Sequence, residues 1–141
     1  MCTLILLDRV VPEFPVLVAA NRDEFFSRPA APPGHFAPRD GNLAFVAPQD
    51  LAAGGTWMGL NSNGLFVGLT HRPVAVRDPA ARSRGLLVTD ALGRRTAAEA
   101  ATAVERACEQ PMTPFNLLAA DGRETYFARL QGDRLETRSL S

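Results

Sequence analysis

The sequence predicts an α+β protein in which antiparallel β-hairpins lie against a layer of helices. Strand-like apolar runs occupy both ends of the chain, two helical segments lie between them, and strands do not alternate with helices. This order is typical of a sheet built from hairpins with its helices grouped together. The 141 residues suffice for one domain with its own core, and we expect that domain to span residues 1–141.

The first half of the chain predicts strands. Cys2–Asp8 and Pro15–Ala20 are apolar enough to be buried strands, and the prolines of VVPEFP indicate a long turn between them. Residues 27–40 are rich in Pro and Ala, and we expect an ordered loop there. NLAFVAP predicts a short strand. GGTWMGLNSNGLFVGLTH then predicts two strands joined by an Asn63-Gly64 turn with both turn residues at positive φ.

The second half predicts two helices and three more strands. LLVTDALG is a short helix candidate closed by Gly93, and TAAEAATAVERACE has Thr96 and Glu99 at capping-box spacing. FNLLAADGRETYFARL and QGDRLETRSL predict strands with turns at Asp121-Gly122 and Gly132-Asp133. The last strand has no visible partner beyond it. Such an edge favours pairing, so we expect a homo-oligomer through it unless it is covered inside the domain.

Composition excludes several classes of function. Fifteen cations balance fifteen carboxylates, so the zero net charge predicts neither nucleic-acid binding nor attraction to an anionic membrane. The chain has no Lys, which excludes a Schiff-base or Walker-type lysine. Two cysteines are too few for a disulfide framework or a thiolate zinc site. With no apparent signal peptide or transmembrane segment, we expect a cytoplasmic protein.

Cys2 is the residue with the most distinctive chemistry. Removal of Met1 would leave a thiol and an α-amine on one residue. An α-amine has a pKa of about 7.7–8.0, so it can act as a general base for the thiol. The alternative is that Cys2 is simply a small apolar residue of a strand. Cys108 lies on the apolar stripe of the second helix and is expected to belong to the core.

Asn21, Arg22 and Asp23 form a dense polar cluster directly after the second strand. Asp23 is suited to hold an ammonium group, Arg22 to lower a thiol pKa or bind a carboxylate, and Asn21 to donate to an oxyanion. The alternative is a charged surface turn with an internal Arg–Asp pair. The cluster alone does not distinguish a site from a turn.

A second unusual segment, GGTW, begins at Gly54 and ends at Trp57. Paired glycines allow backbone amides to face a ligand, and Trp57 is suited either to stack on a ligand or to anchor the core. His35 and His71 lack carboxylate partners at a recognisable spacing. We therefore expect no metal site, and we expect both histidines to be ordinary loop or strand-end residues.

Several segments together resemble the NRDE family, the transport and Golgi organisation 2 proteins. They are the initial MC, LVAANRDEFFSRP, GGTWMGL, NGLFVGLTH, SRGLLVTDAL and PFNLLAAD, in the family's order and from end to end of the chain. The family is similar to N-terminal-nucleophile hydrolases, which implies an αββα sandwich. Family members usually continue with a Gly-Leu-Ser-Asn segment, so the resemblance implies an incomplete sandwich that lacks the family's C-terminal portion.

The resemblance implies two alternative functions. By analogy with penicillin and bile-salt acylases, Cys2 would be the nucleophile of a cysteine amidohydrolase and Asp23 would contact its amine. Those acylases place an Arg three residues before the Asp, however, where this chain has Ala20. The favoured alternative is therefore a binding or trafficking factor that requires no cofactor and carries haem, acyl-CoA or lipid. We expect Gly54, Gly55, Thr56, Trp57 and Asn116 to contact that ligand.

Overall fold

The computed structural model describes residues 2–38 and 40–141, which form an α+β fold. The predicted order of strands, two helices and strands is confirmed. In chain order the elements are β1 (Thr3–Val11), β2 (Phe14–Asn21), β3 (Ala30–Phe36), β4 (Phe45–Asp50), β5 (Met58–Asn61), β6 (Phe66–His71), α1 (Arg84–Leu92), α2 (Ala97–Ala107), β7 (Phe115–Ala120), β8 (Thr125–Gln131) and β9 (Arg134–Ser139).

The strands form two antiparallel sheets. β1 pairs with β2, while β3 to β9 form a seven-stranded sheet in which each strand pairs with the next one in sequence. The last strand, β9, pairs with β8 and lies at the end of its sheet, as the sequence predicted. Its use as an interface between two copies stays a prediction.

The two helices pack on one face of the large sheet, and the β1–β2 hairpin packs on the other. Val67 and Leu69 of β6 belong to the buried core with the helical residues Leu87 and Val104. Gly68, between them, faces the hairpin, because a Cβ at that position would collide with the Leu4 side chain. The described residues thus build three successive layers, helices, sheet and sheet.

The outer face of the hairpin is apolar and exposed. Ile5 and Leu7 of β1 lie beside Leu17 of β2 on this face, and each exposes more than a third of its surface. Inner-face residues of the same strands, such as Leu4 and Val18, are partly buried. Only one face of the hairpin therefore contributes to the core formed by the described residues.

The prediction of a loop over residues 27–40 was wrong. Ala30–Phe36 forms β3, which pairs with β4, and Arg39 lies outside the described residues. Proline is tolerated here because β3 is an edge strand whose register shifts between Ala31 and Gly34, around the two prolines. Proline content alone therefore did not distinguish a loop from an edge strand.

Two turns also differ from their predicted form. The connection between β1 and β2 is short, since only residues 12 and 13 separate the strands. In the β5–β6 turn, only Gly64 has a positive φ (83°), and Asn63 does not. The Gly64 amide donates to the Asn61 carbonyl (3.1 Å), and the Asn61 side chain accepts from the Leu65 amide (3.0 Å). Asn61 therefore organises a longer turn than the predicted two-residue one.

Helix α2 begins at the predicted cap. The Thr96 hydroxyl accepts from the Glu99 amide at 3.2 Å. The Glu99 carboxylate accepts from the Arg95 amide (2.9 Å), one residue before the cap. Asp121, from the β7–β8 turn, accepts from the Ala97 amide (2.9 Å) and so ties the start of α2 to the sheet.

Candidate functional site

Cys2 lies where two cavities meet. We call the first, of about 120 Å³, the arginine pocket; it is lined by Cys2, Arg22, Glu24, Arg28, Asp50, Thr56, Trp57, Leu69, His71, Arg77, Arg84 and Gly85. We call the second, of about 400 Å³, the strand groove; it is lined by Cys2, Thr3, Leu4, Gly68, Thr70, Asn116, Leu117, Leu118, Phe127 and Arg129. A single molecule that occupies both cavities would pass the Cys2 side chain.

The arginine pocket is assembled from the ends of several elements. The loop after β2 supplies Arg22, Glu24 and Arg28, and α1 begins with Arg84. Asp50 and His71 are the last residues of β4 and β6, and Arg77 lies in the loop that follows β6. Four arginines therefore face two carboxylates, so the pocket carries excess positive charge although the whole chain is neutral.

Arg28 and Asp50 neutralise one another within this pocket. The Arg28 guanidinium donates to both Asp50 carboxylate oxygens, with a shortest distance of 2.5 Å, and Asp50 also accepts from the Ala52 amide. Burial opposes the charged form of Asp50, but these bonds outweigh it and hold the pKa of Asp50 below its ordinary value. Because Arg28 and Asp50 neutralise each other, Glu24 is the one carboxylate of the pocket lining left to balance Arg22, Arg77 and Arg84.

Arg22 stacks on Trp57, with its guanidinium carbon 4.4 Å from the ring centroid. The contact is a cation–π interaction, which orients the guanidinium and shields one of its faces from water. It joins the polar cluster after β2 to the GGTW segment. The sequence singled out both Arg22 and Trp57, and the structure brings them together at the arginine pocket.

The surroundings of Arg84 and His71 disfavour the charged form of each side chain. Burial, followed by the nearby charge of Arg77, lowers the pKa of Arg84. Partial burial, followed by the charge of Arg84, lowers the pKa of His71, against the opposing effect of Glu24. Arg84 is fixed by a hydrogen bond to the Pro114 carbonyl (2.9 Å). A bound anion would favour the charged form of each group and would therefore oppose both shifts.

Within the GGTW segment Gly55 has a packing role, whereas Gly54 has a positive φ (80°) and no neighbour within 4 Å of the Cβ position. A Cβ on Gly55 would lie only 2.6 Å from the Gly85 carbonyl oxygen, so the pair allows the start of α1 to touch this segment. The Thr56 amide donates to that same oxygen (3.2 Å), and the Gly54 amide donates to the Asp50 carbonyl (2.8 Å). These two amides are engaged within the protein, and Arg84 and Trp57 line the same pocket.

Asn116 lies in the strand groove. Its amide donates to the Thr70 hydroxyl (3.3 Å), and its carbonyl oxygen accepts from Arg72 (3.4 Å). Leu118 and Phe127, on neighbouring strands, line the same cavity with Cys2. The groove therefore offers apolar side chains with a polar amide at one end.

The remaining residues of the predicted polar cluster lie beside Cys2 rather than in the arginine pocket. The Cys2 thiol donates to the Asp23 backbone carbonyl, with 3.9 Å between sulfur and oxygen. Asn21 is exposed at the end of β2, opposite Thr3. Met1, whose removal would free the Cys2 amine, lies outside the described residues.

Sequence reasoning missed much of the arginine pocket. His71 was expected to be an ordinary strand-end histidine; it does end β6, but it lines the pocket. Arg28 and Arg84 belong to the segments SRP and SRG on which the family resemblance rests, which was a signal for them. Nothing in the local sequence indicated Asp50 or Arg77, because their proximity depends on the packing of separate elements.

The described residues contain neither a cluster of metal-ligating side chains nor a helix that could span a membrane. Within residues 2–38 and 40–141, no group of three or more His, Cys, Asp or Glu side chains is placed to hold a metal ion. Over the same residues, neither helix has the length and apolar character needed to cross a bilayer.

Comparison with known proteins identifies relatives by sequence. The family model described as Transport and Golgi organisation 2 matches residues 1–139. The Transport and Golgi organization protein 2 homologs of Homo sapiens and Bos taurus are 32% and 31% identical, each match covering 75% of this chain and 38% of the relative. The Mus musculus homolog is 35% identical over 52% of this chain and 27% of its own length. The matched segments thus cover well under half the length of these curated relatives.

Solved structures with the same fold come from a different group of proteins. A mutant of conjugated bile acid hydrolase from Clostridium perfringens matches 99% of this chain and 51% of its own length, with a TM-score of 0.66 and 15% identity. Penicillin V acylase from Agrobacterium tumefaciens matches 78% of this chain and 40% of its own, with a TM-score of 0.50 and 15% identity. At this identity the likeness shows the fold alone, which is that of the N-terminal-nucleophile hydrolases.

Proposed function

This chain belongs to the Transport and Golgi organisation 2 family, and from that premise we propose that it binds and carries a small anionic molecule in the cytoplasm. The observation that carries the proposal is the excess of arginine in the pocket beside Cys2. Guanidinium groups bind carboxylates and phosphates strongly, and they do so best where water is partly excluded. The ligand classes that fit this chemistry are haem, acyl-CoA and anionic lipid.

The sizes of the cavities indicate how such a ligand divides between them. The arginine pocket, at about 120 Å³, holds a carboxylate or phosphate group but not a whole cofactor-sized ligand. The strand groove, at about 400 Å³, has apolar walls that include Leu4, Leu118 and Phe127. An anionic head in the pocket and an apolar body in the groove account for both cavities.

The test compares charged and uncharged ligands on the intact chain. Haem is compared with its dimethyl ester, and octanoyl-CoA with a neutral octanoyl ester, by equilibrium titration of Trp57 fluorescence. We expect the anionic member of each pair to bind at least about tenfold more tightly, because charge-assisted hydrogen bonds are lost with the ester. Equal binding within both pairs, or binding of none of the four, would contradict the proposal.

Two arginine variants test whether the anionic ligand binds in the arginine pocket. Arg84→Gln and Arg77→Gln remove pocket charges, and Arg134→Gln is the matched control because the Arg134 side chain is 80% exposed on β9, away from the pocket. The pocket variants should weaken binding of the anionic ligand and the control should not. Arg77 lies on an exposed loop, so its substitution tests the site even if loss of the Arg84–Pro114 bond disturbs folding.

A second function, that of a cysteine amidohydrolase, is favoured by the position of the Cys2 thiol between the two cavities. The thiolate would attack the carbonyl carbon of a linear amide, and the C–N bond would break as the leaving amine takes a proton. Water would then hydrolyse the thioester and restore the thiol. Mass spectrometry distinguishes this function, since it requires loss of Met1 and an acyl adduct on Cys2.

A further inference from the structure

The charged side chains that line the arginine pocket carry an excess of two positive charges. Four arginines face two carboxylates there, and His71 is neutral at pH 7 because its pKa is lowered below 6.5, chiefly by burial. Since Arg28 and Asp50 neutralise one another, the excess belongs to Arg22, Arg77 and Arg84. A singly charged anion would balance only half of it, whereas a dianion would balance all of it.

Two of these three guanidinium groups are held in position by the protein itself. Arg84 donates to the Pro114 carbonyl (2.9 Å), and Arg22 lies over the Trp57 ring at 4.4 Å. Neither contact neutralises the positive charge, because a carbonyl and an aromatic ring are both uncharged. The two charges are therefore oriented before a ligand arrives, which reduces the entropic cost of binding.

The three arginines act on the same small space. Burial is the largest cause of the lowered pKa of Arg84, and the charge of Arg77 is the next. At His71 the charges of Arg84 and Arg22 add to the effect of burial. Because such effects weaken with distance, one anion placed among these side chains would interact with all three arginines.

The small volume of the arginine pocket, about 120 Å³, requires both negative charges to lie on one chemical group. A phosphate monoester meets this requirement, because it carries up to two charges and three acceptor oxygens on a single phosphorus. A carboxylate, a sulfate ester or a phosphodiester carries one charge. Haem has two carboxylates, but they lie on separate side chains, so the pocket would accept only one of them.

Given the anion binding proposed above, on which this step rests, we infer that the ligand carries a phosphate monoester bound among Arg22, Arg77 and Arg84. Its apolar part lies in the strand groove, which meets the arginine pocket at Cys2. A phosphorylated lipid and the 3′-phosphate of CoA both supply such a group. The shared chemistry is a dianionic head on a molecule with an apolar chain.

The test compares octyl phosphate, octyl sulfate and octanol on the intact chain by titration of Trp57 fluorescence. The two anions share a tail and a tetrahedral head, but at about pH 8 the phosphate is a dianion and the sulfate a monoanion. Octyl phosphate should bind at least about tenfold more tightly than octyl sulfate, because it forms more charge-assisted bonds. Octyl sulfate should in turn bind more tightly than octanol.

Three variants test whether the pocket charges cause this preference. Arg77→Gln removes part of the excess charge and should reduce the preference for phosphate to about threefold or less. The matched control, Arg134→Gln, alters an arginine that is 80% exposed on β9 and should keep the preference. Glu24→Gln retains an oxygen for the Phe25 amide but removes the opposing charge, so it should strengthen binding of both anions.

Equal binding of the two anions, both more tightly than octanol, would overturn the inference and leave the proposed function intact. Binding of all three compounds alike would contradict the proposed function as well. An undiminished preference for phosphate in Arg77→Gln would also overturn the inference. Where the preference holds, octanoyl-CoA and its 3′-dephospho form identify the source of the group: tighter binding of octanoyl-CoA assigns the site to the CoA phosphate, and equal binding assigns it to a phosphorylated lipid.

Discussion

The Arg22 guanidinium lies over the Trp57 ring, with 4.4 Å between its central carbon and the ring centroid. This contact connects the two most distinctive segments of the sequence, and it does so at the wall of the arginine pocket. Trp57 is the only tryptophan of the chain, so its fluorescence reports directly on this part of the molecule.

We expect Arg22→Gln to change the emission of Trp57 without any ligand, because the cation over the ring is replaced by a neutral amide. The loss of stability should be small, about 0.5–1 kcal/mol for a partly exposed cation–π pair. Emission spectra and urea denaturation measure the two effects. The matched control is Arg138→Gln, which removes a guanidinium 5.2 Å from the Phe127 ring and should leave Trp57 emission unchanged. Identical spectra for Arg22→Gln and the unmodified chain would refute the contact.

Gly55→Ala should destabilise the fold by about 1–3 kcal/mol or more, because the added methyl group meets the backbone of Gly85 and not a flexible side chain. Gly34→Ala is the matched control, since a Cβ there has no neighbour within 4 Å and its φ is not positive. Thermal unfolding followed by circular dichroism compares the two. Equal melting temperatures for both variants would show that α1 does not pack on the GGTW segment as described.

The sequence predicted the fold where local patterns determine local structure. Helix α2 begins after Thr96 because the Thr96 hydroxyl accepts from the Glu99 amide, and the preference for Thr at such a cap can be recognised in the sequence alone. β3 was missed because proline disfavours strands in general, and only its position at the sheet edge, a tertiary property, makes proline acceptable.

The candidate site was predicted less completely than the fold. Cys2, Arg22 and Trp57 were recognisable because each is chemically unusual within its own segment. His71 and Arg77 approach them only after β6 and its following loop are in place. Charge counted over the whole chain also concealed the positive charge of the arginine pocket, where four arginines face two carboxylates.

The two cysteines should differ strongly in reactivity. Burial raises the pKa of Cys108 from 9.0 to about 11. That shift lowers its thiolate fraction near neutral pH about a hundredfold relative to an ordinary thiol. With iodoacetamide at neutral pH, we expect Cys2 to be alkylated well before Cys108, as followed by peptide mass spectrometry. The variant Cys108→Ser should keep the fast phase and Cys2→Ser should lose it. Alkylation of Cys2 no faster than Cys108 would also contradict the amidohydrolase function.

Anion binding should strengthen as the pH falls toward 6. In the free protein, partial burial and the charge of Arg84 lower the pKa of His71 below 6.5, so its ring is neutral at pH 7. Arg22 and Arg28 act in the same direction and Glu24 opposes them. A bound anion favours the protonated ring, and by linkage protonation favours the anion. Affinity for octanoyl-CoA should therefore rise as the pH drops through the His71 pKa.

His71→Gln and His35→Gln separate this effect from protonation of the ligand itself. His35 is the other histidine of the chain and lines a different cavity, so its variant should keep the pH dependence of the unmodified chain. His71→Gln should bind with a flatter pH profile, measured by titration of Trp57 fluorescence between about pH 5.5 and 8. The lowered pKa of His71 also makes the free energy of unfolding depend on pH. Because the unfolded chain takes up the proton at a higher pH than the folded chain does, the contribution of His71 to stability declines as the pH falls below 6.5. Parallel profiles for His71→Gln and the unmodified chain would remove His71 from the binding site.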